Sequence, residues 1–138
     1  MKWFYKKFRL AFLLLSTALY IGMFNPQDLF AQDQVKLGED TFKSKGCGAC
    51  HSIGKGKISG PDLLGVTERR DEEWLKKWLK NPDTMVFTDP IAKEMLQEYM
   101  VPMPNVGLTD EQVVYLIEYL KFEDNKNCLL YTSDAADE

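Results

Sequence analysis

Two cysteines and the chain's only histidine fall within five consecutive positions, in the stretch Gly46-Cys47-Gly48-Ala49-Cys50-His51. The spacing is C-x-x-C-H, the signature of covalent c-type haem attachment. Two thiols three positions apart can reach the two vinyl groups of one porphyrin, and a histidine directly after the second thiol is carried under the iron as its proximal ligand. Gly48 and Ala49 are small enough not to crowd the macrocycle. Other uses of paired thiols fit less well. A thioredoxin-like redox pair belongs in a βαβ setting, and no parallel strands are legible here. A zinc site needs four ligands, but there is no second cysteine pair and no further histidine. A disulfide between Cys47 and Cys50 is chemically feasible but closes too small a loop to stabilise much.

The elements that position this motif lie between two ends that do not read as part of a fold. The 138 residues suit one small domain. Lys2, Lys6, Lys7 and Arg9 precede an apolar run from Leu10 to Phe24, and a polar stretch then leads to Leu29-Phe30-Ala31. A charged region, an apolar core and a small residue at the cleavage point make a secretory signal, so residues 1–31 are expected to be a signal peptide cut after Ala31. The competing reading is an uncleaved membrane anchor, although about fifteen apolar residues fall short of the ~20 that span a bilayer. No cysteine follows the run closely, which leaves a lipid anchor without support. At the other end, "CLLYTSDAADE" from Cys128 to Glu138 resembles the translation of a transposon-based sequencing adaptor. We read residues 128–138 as an artefact of a truncated gene read, the alternative being a disordered tail with an unpaired Cys128, and draw no function from them.

Residues 32–127 remain as the working domain, about the smallest size at which a single apolar core suffices, and chains this small commonly need a staple or cofactor. They carry 13 basic and 17 acidic residues, a balance that argues against a nucleic-acid partner. No repeat appears, and apolar residues recur at helical spacing, so the expected class is all-α with no sheet. A first helix is expected from about Val35 to Lys45, with Leu37 and Phe42 buried and Gly46 ending it. Ser52 to Val66 reads as a glycine-rich loop. Asp71 caps a second helix with Trp74, Leu75, Trp78 and Leu79 on one face, stopped by Asn81-Pro82. Asp89-Pro90 opens a third, with Ile91, Met95, Leu96 and Tyr99 toward the core. Pro102 and Pro104 hold "VPMPNVG" extended. Thr109 and Gln112 then form a capping box for the last helix, whose stripe is Val113, Leu116, Ile117 and Leu120. About four helices with long loops are expected.

With "CGACH", "GPDLLGV" and "MPNVGLTDEQVVYLIEYLK" in that order, the chain from about Leu37 to Lys121 resembles the class I cytochrome c family of small exported monohaem proteins. The resemblance implies the cytochrome c fold, helices and long loops wrapped around one covalently attached haem c. It implies that Cys47 and Cys50 hold the haem, that His51 ligates the iron, and that Pro61 offers its carbonyl to the outer N–H of that histidine. Such a bond fixes the ring and makes the ligating nitrogen more electron-rich. The resemblance also implies a distal methionine ahead of the last helix. Because His51 is the only histidine, a bis-histidine haem is excluded within one chain. Of Met85, Met95, Met100 and Met103, Met95 reads as a core residue and Met85 lies far upstream. Met103 sits between two prolines on a preorganised segment and is the expected ligand, with Met100 the runner-up. A thioether ligand raises the reduction potential relative to two histidines.

A contact between the first and last helices built from Gly38, Phe42 and Tyr119 is further implied, as is a propionate-facing region at Arg69, Arg70, Trp74 and Trp78. An insert from Pro82 to Glu98, with its own helix, lengthens the distal side. Lys43, Lys45, Lys55 and Lys57 flank the attachment site and would steer an acidic partner if they ring the haem edge. A solvated face is the alternative, and the net charge of −4 works against steering. The implied function is a periplasmic electron carrier rather than an enzyme, its partners redox proteins such as a respiratory complex, terminal oxidase or periplasmic reductase. The pattern "GVTERRDEEWLKKWLKNP" followed by "MPN" is similar to small cytochromes that accompany nitrous oxide reductase. Two other readings stay open. One is a haem enzyme or gas sensor with an open sixth position, for which the chain has no second histidine as distal base. The other is the detached haem module of a larger reductase or oxidase.

Overall fold

A computed structural model describes residues 26–134, with side chains described for 30–127. The apolar run of the expected signal peptide lies outside the described residues, as do the side chains of the adaptor-like segment. The chain divides into two units, Met1–Gln32 and Asp33–Glu138, and the C-x-x-C-H motif belongs to the second.

Six α-helices and one 3-10 turn succeed one another among the described residues: α1 Pro26–Ser44, the turn Cys47–Ala49, α2 Val66–Arg69, α3 Glu72–Lys80, α4 Pro82–Thr88, α5 Pro90–Tyr99 and α6 Asp110–Asp134. No strand occurs among them, as the all-α expectation requires. Four of the helices are those expected. Asp71 caps α3 by accepting from the Trp74 N–H at 2.8 Å. Asp89 caps α5 through the Ala92 N–H at 3.0 Å, and Thr109 and Gln112 exchange the two bonds of a capping box, at 3.1 and 3.2 Å, ahead of α6.

The differences have local causes. The helix α1 is already formed at Pro26, the first described residue, ahead of the expected start at Val35. Pro82, read as a stop for α3, is also the first residue of α4, so the insert carries two helices in place of one. Leu37 is 46 % exposed instead of buried; the buried positions of α1 are Gly38 and Thr41, because that helix meets α6 along a side that must be small. In α5 the fully buried residue is Ala92, while Ile91, Met95, Leu96 and Tyr99 are half-buried.

The core is a cluster of Leu75 and Leu79 from α3, Leu108, and Val113, Leu116 and Ile117 from α6. Phe42, Val66, Trp74, Met103, Val106 and Tyr119 pack against it. Both α2 and α3 lie on α6, and α4 packs on α3 and α5. One carboxylate interrupts the α6 stripe: Asp124 is buried and accepts from the N–H of Gly65 at 2.5 Å, the N–H of Thr67 at 3.2 Å and the Thr67 hydroxyl at 2.6 Å. It ties the start of α2 to the last helix, and a buried carboxylate with three donors is satisfied rather than stranded.

Candidate functional site

The attachment motif forms a tight turn. Gly46 closes α1 in the left-handed region at φ 72°, which a Cβ would disfavour, and the Cys50 and His51 N–H groups both donate to the Cys47 carbonyl, at 3.1 and 3.0 Å. Both thiols are free and half-buried, so the two are not joined in a disulfide. Burial pushes the Cys47 thiol above its ordinary pKa.

His51 Nδ1 lies 2.9 Å from the Pro61 carbonyl oxygen. A carbonyl can only accept, so Nδ1 carries the proton and Nε2 is left with its lone pair for a metal. Gly60 makes this approach available, since a Cβ there would stand 2.6 Å from His51 Cε1. The loop that carries Pro61 is organised by Asp62, whose carboxylate accepts from Gly54 N–H at 2.8 Å, Gly56 N–H at 2.5 Å, Leu64 N–H at 2.8 Å and the Ser52 hydroxyl at 3.1 Å. Burial works to raise the Asp62 pKa, but the hydrogen bonds from Leu64, Gly54, Gly56 and Ser52 outweigh it and hold the carboxyl below its ordinary range. Arg69 donates to the Leu64 and Asp62 carbonyls, at 2.5 and 3.2 Å.

A cavity of about 580 Å³ opens on this turn, within the ~300–1,000 Å³ of cofactor sites. Cys47, His51 and Pro61 line one part of it; Met103, Pro102 and Val101 line another; Leu75, Leu79, Val86, Leu116 and Leu120 supply apolar wall. Met103 is half-buried against the core, whereas Met100 is 79 % exposed at the end of α5, with φ 57°. Met95, expected as a core residue, lines the cavity too. The segment bearing Met103 is tethered from two sides. Lys45 Nζ donates to the carbonyls of Val106 and Gly107, at 3.2 and 3.1 Å, and Lys80 Nζ to that of Leu108 at 3.0 Å. Asn105 bonds the Lys80 carbonyl at 3.2 Å and receives the Gly107 N–H at 3.0 Å.

Arg69, Arg70, Trp74 and Trp78 all line the cavity. The two indoles stack at 5.6 Å, and Arg70 lies over Trp74, also at 5.6 Å. Trp74 Nε1 is buried without a hydrogen bond, near the Asp89 carboxylate but outside bonding geometry. The expected ring of free lysines is mostly engaged within the chain. Lys43 pairs with Glu39, Lys45 holds the methionine loop, and Lys57 sits 3.6 Å from Glu98 and 4.7 Å above the Tyr99 ring. The first and last helices meet as implied, with Gly38 against Tyr115 and Tyr119, and Phe42 and Tyr119 ring centres 5.9 Å apart.

Sequence reasoning missed Gly60, Asp62, the Lys45, Lys80 and Asn105 tethers, and Asp124. Two of these left a signal. A lone Asp among Gly54, Gly56 and Gly65 suggests side-chain capping of a loop, and Asp124 falls at helical spacing on the apolar Ile117–Leu120 stripe. The tethers left none, because long lysines reach partners far away in sequence.

The residues present fit a haem. The Cys47 thiol, a neutral imidazole with a free Nε2 and a thioether meet one apolar cavity; Cys50, half-buried on the same turn, is not among its lining residues. Zinc does not fit, since no group of three metal-binding His, Cys, Asp or Glu occurs among the described residues. The family model described as Cytochrome c matches residues 35–122. Cytochrome c-551 of Ectopseudomonas mendocina is 33 % identical over 88 residues, covering 60 % of this chain and 93 % of that protein. Cytochrome c from Rhodothermus marinus superposes with a TM-score of 0.66 at 30 % identity, over 69 % of this chain and 80 % of its own. The cytochrome c domain of the pp3183 protein from Pseudomonas putida does so with a TM-score of 0.57 at 41 % identity, over 64 % and 88 %. With its motif, its cavity and its matched length in agreement, the chain belongs to the cytochrome c family and binds one covalently attached haem c.

Proposed function

We propose that the protein is a periplasmic electron carrier whose single haem is attached through Cys47 and Cys50 and ligated by His51 and Met103. The observation that carries this reading is the arrangement around one cavity: an imidazole with its outer nitrogen fixed to Pro61 at 2.9 Å, and a half-buried thioether on a tethered loop. Haem bound there supplies a one-electron couple. The chain's own residues do the rest. Pro61 orients the imidazole and makes Nε2 electron-rich. Lys45, Lys80 and Asn105 hold the methionine segment so that little reorganises between oxidation states. Apolar walls exclude water and, with the thioether, favour the ferrous state. Arg69 and Arg70 line the cavity and would offer donors to the carboxylates of a bound porphyrin.

Export rests on the signal-like residues 1–31; among the described residues no helix is long and apolar enough to cross a membrane. The partners are then redox proteins of that compartment, among them a respiratory complex, a terminal oxidase or a reductase such as nitrous oxide reductase. A second role, the haem module of a larger assembly, is favoured by one observation: the Pseudomonas putida relative is itself a domain of a longer protein.

The test is the pair Met103→Ala and Met100→Ala. Met103→Ala is expected to remove the far-red sulfur-to-iron band of the oxidised protein, lower its potential and admit carbon monoxide to the reduced haem. Met100→Ala is expected to leave all three unchanged. The reverse pattern would show that the other methionine is the ligand. An unmutated protein that lacks the band and binds carbon monoxide freely would replace the carrier with an open-site enzyme or sensor.

A further inference from the structure

We propose that Asp62 is a positioning residue for the iron: by gathering the 52–64 loop around its carboxylate it presses the Pro61 carbonyl onto His51, and its charge within that loop lowers the reduction potential. The inference rests on His51 as an iron ligand. Its geometry is specific to the loop. Three backbone N–H groups converge on the Asp62 carboxylate at 2.5 to 2.8 Å, and the Ser52 hydroxyl, which also meets the Gly56 carbonyl more closely, lies 3.1 Å from it. Ser52 is the residue after His51, and Pro61 is the residue before Asp62, so the carboxylate closes a ring of which the 2.9 Å bond from His51 Nδ1 to Pro61 is the opposite side. The Leu63 N–H bonds the Ser52 carbonyl at 2.9 Å and the Gly60 N–H bonds the Cys50 carbonyl at 2.8 Å, which brace the same ring. From outside, Arg69 holds the Asp62 carbonyl at 3.2 Å.

Gly54 and Gly56 both have positive φ, 73° and 85°, conformations open to glycine, and the turn they make directs both N–H groups to the Asp62 carboxylate. No other carboxylate accepts the Gly54, Gly56 and Leu64 N–H groups among the described residues. Asp62 is a lining residue whose carboxylate turns into the loop, toward Ser52, Gly54 and Gly56, and a negative charge in the loop that holds His51 would favour the ferric state of a haem bound in the cavity. A firmer Pro61 bond makes the imidazole a stronger donor and acts in the same direction.

Two variants separate position from charge. Asp62→Asn removes the charge and turns an acceptor into a donor facing the Gly56 N–H. Ser52→Ala removes the hydroxyl that the Gly56 carbonyl and the Asp62 carboxylate share, and keeps the charge. The holoproteins are compared with the parent by redox titration and by NMR exchange of the His51 Nδ1 proton. In both variants that proton is expected to exchange about three- to tenfold faster, the effect of weakening one hydrogen bond. The potential is expected to rise in both, more in Asp62→Asn. A proton as slow as the parent's in both variants overturns the proposal even if the potential moves, because charge alone does not free the proton. If Asp62→Asn fails to mature with haem, Ser52→Ala decides by the same criterion. Ligation itself is read in the unmutated protein: His51 ring resonances without paramagnetic shifts would remove the premise without either variant.

Discussion

Gly60 leaves the space that His51 occupies: a Cβ built there lies 2.6 Å from the imidazole Cε1, 2.9 Å from Nδ1 and 3.2 Å from the Cys50 carbonyl. Neither the ring nor the carbonyl is a flexible chain end, so even alanine must push the loop away from the attachment turn. Overpacking of this kind costs ~1–3 kcal/mol. Gly60→Ala is therefore expected to lower the thermal midpoint of the holoprotein by roughly 5–20 °C. Calorimetry on protein of equal haem content checks it; an unchanged midpoint would mean that the loop yields freely and that Gly60 is not what admits the imidazole. The motif residues Cys47, Cys50 and His51 were legible directly from their spacing, but Gly60 was not, since its role depends on a ring nine positions earlier folding back over it.

Helix crossing obeys the same rule on a larger scale. At Gly38 a Cβ would lie 2.0 Å from the Tyr115 carbonyl oxygen and 2.6 Å from Tyr119 Cβ, and the first of these is backbone inside α6, with no rotamer to relieve it. Gly38→Ala must lift α1 off α6 and part the Phe42 and Tyr119 rings. Its cost is expected at or above the upper end of ~1–3 kcal/mol. Val114→Ala, at a 42 % exposed position of α6, is expected within ~0.5 kcal/mol of the parent. Urea titration of the two holoproteins makes the comparison, and similar midpoints would refute the close crossing. The pairing of these helices was implied by family resemblance, and the faces of α3 and α6 by periodicity alone. The second helix of the insert was not legible, because Asn81-Pro82 reads equally well as the end of one helix and the start of the next.

At the scale of the molecule, the cavity of about 580 Å³ is cut into the core of a small domain. Its lining includes Leu75, Leu79 and Leu116 of the core cluster itself. Without a cofactor those side chains would face a large void or water, and either removes apolar contact that a domain of this size needs. Folding should therefore be coupled to haem attachment. A Cys47→Ala/Cys50→Ala double variant produced without haem is expected to lose most of the helical circular dichroism of the holoprotein. A helix signal equal to that of the holoprotein would show that the protein core alone holds the fold.

The sequence by itself determined the chemistry and the class: two thiols and an imidazole in five positions admit one prosthetic group, and apolar spacing without alternation admits helices and no sheet. It also determined the caps at Asp71, Asp89 and Thr109, because capping is local and its donors lie within one turn. Tertiary structure alone decided that Leu37 faces solvent while Gly38 and Thr41 are buried, since which side of an amphipathic helix is inward depends on how closely its partner must approach. It decided that Met95 faces the cavity and that Met100, next to the same loop, points out to solvent. Lys45 and Lys57, which sequence could offer only as part of a steering ring, reach the methionine segment and Glu98 of the insert, because a long flexible side chain finds its partner across the fold and leaves no periodic trace. Asp62 and Asp124 belong to the same class: each gathers donors that only the folded chain brings within 3.2 Å of its oxygens.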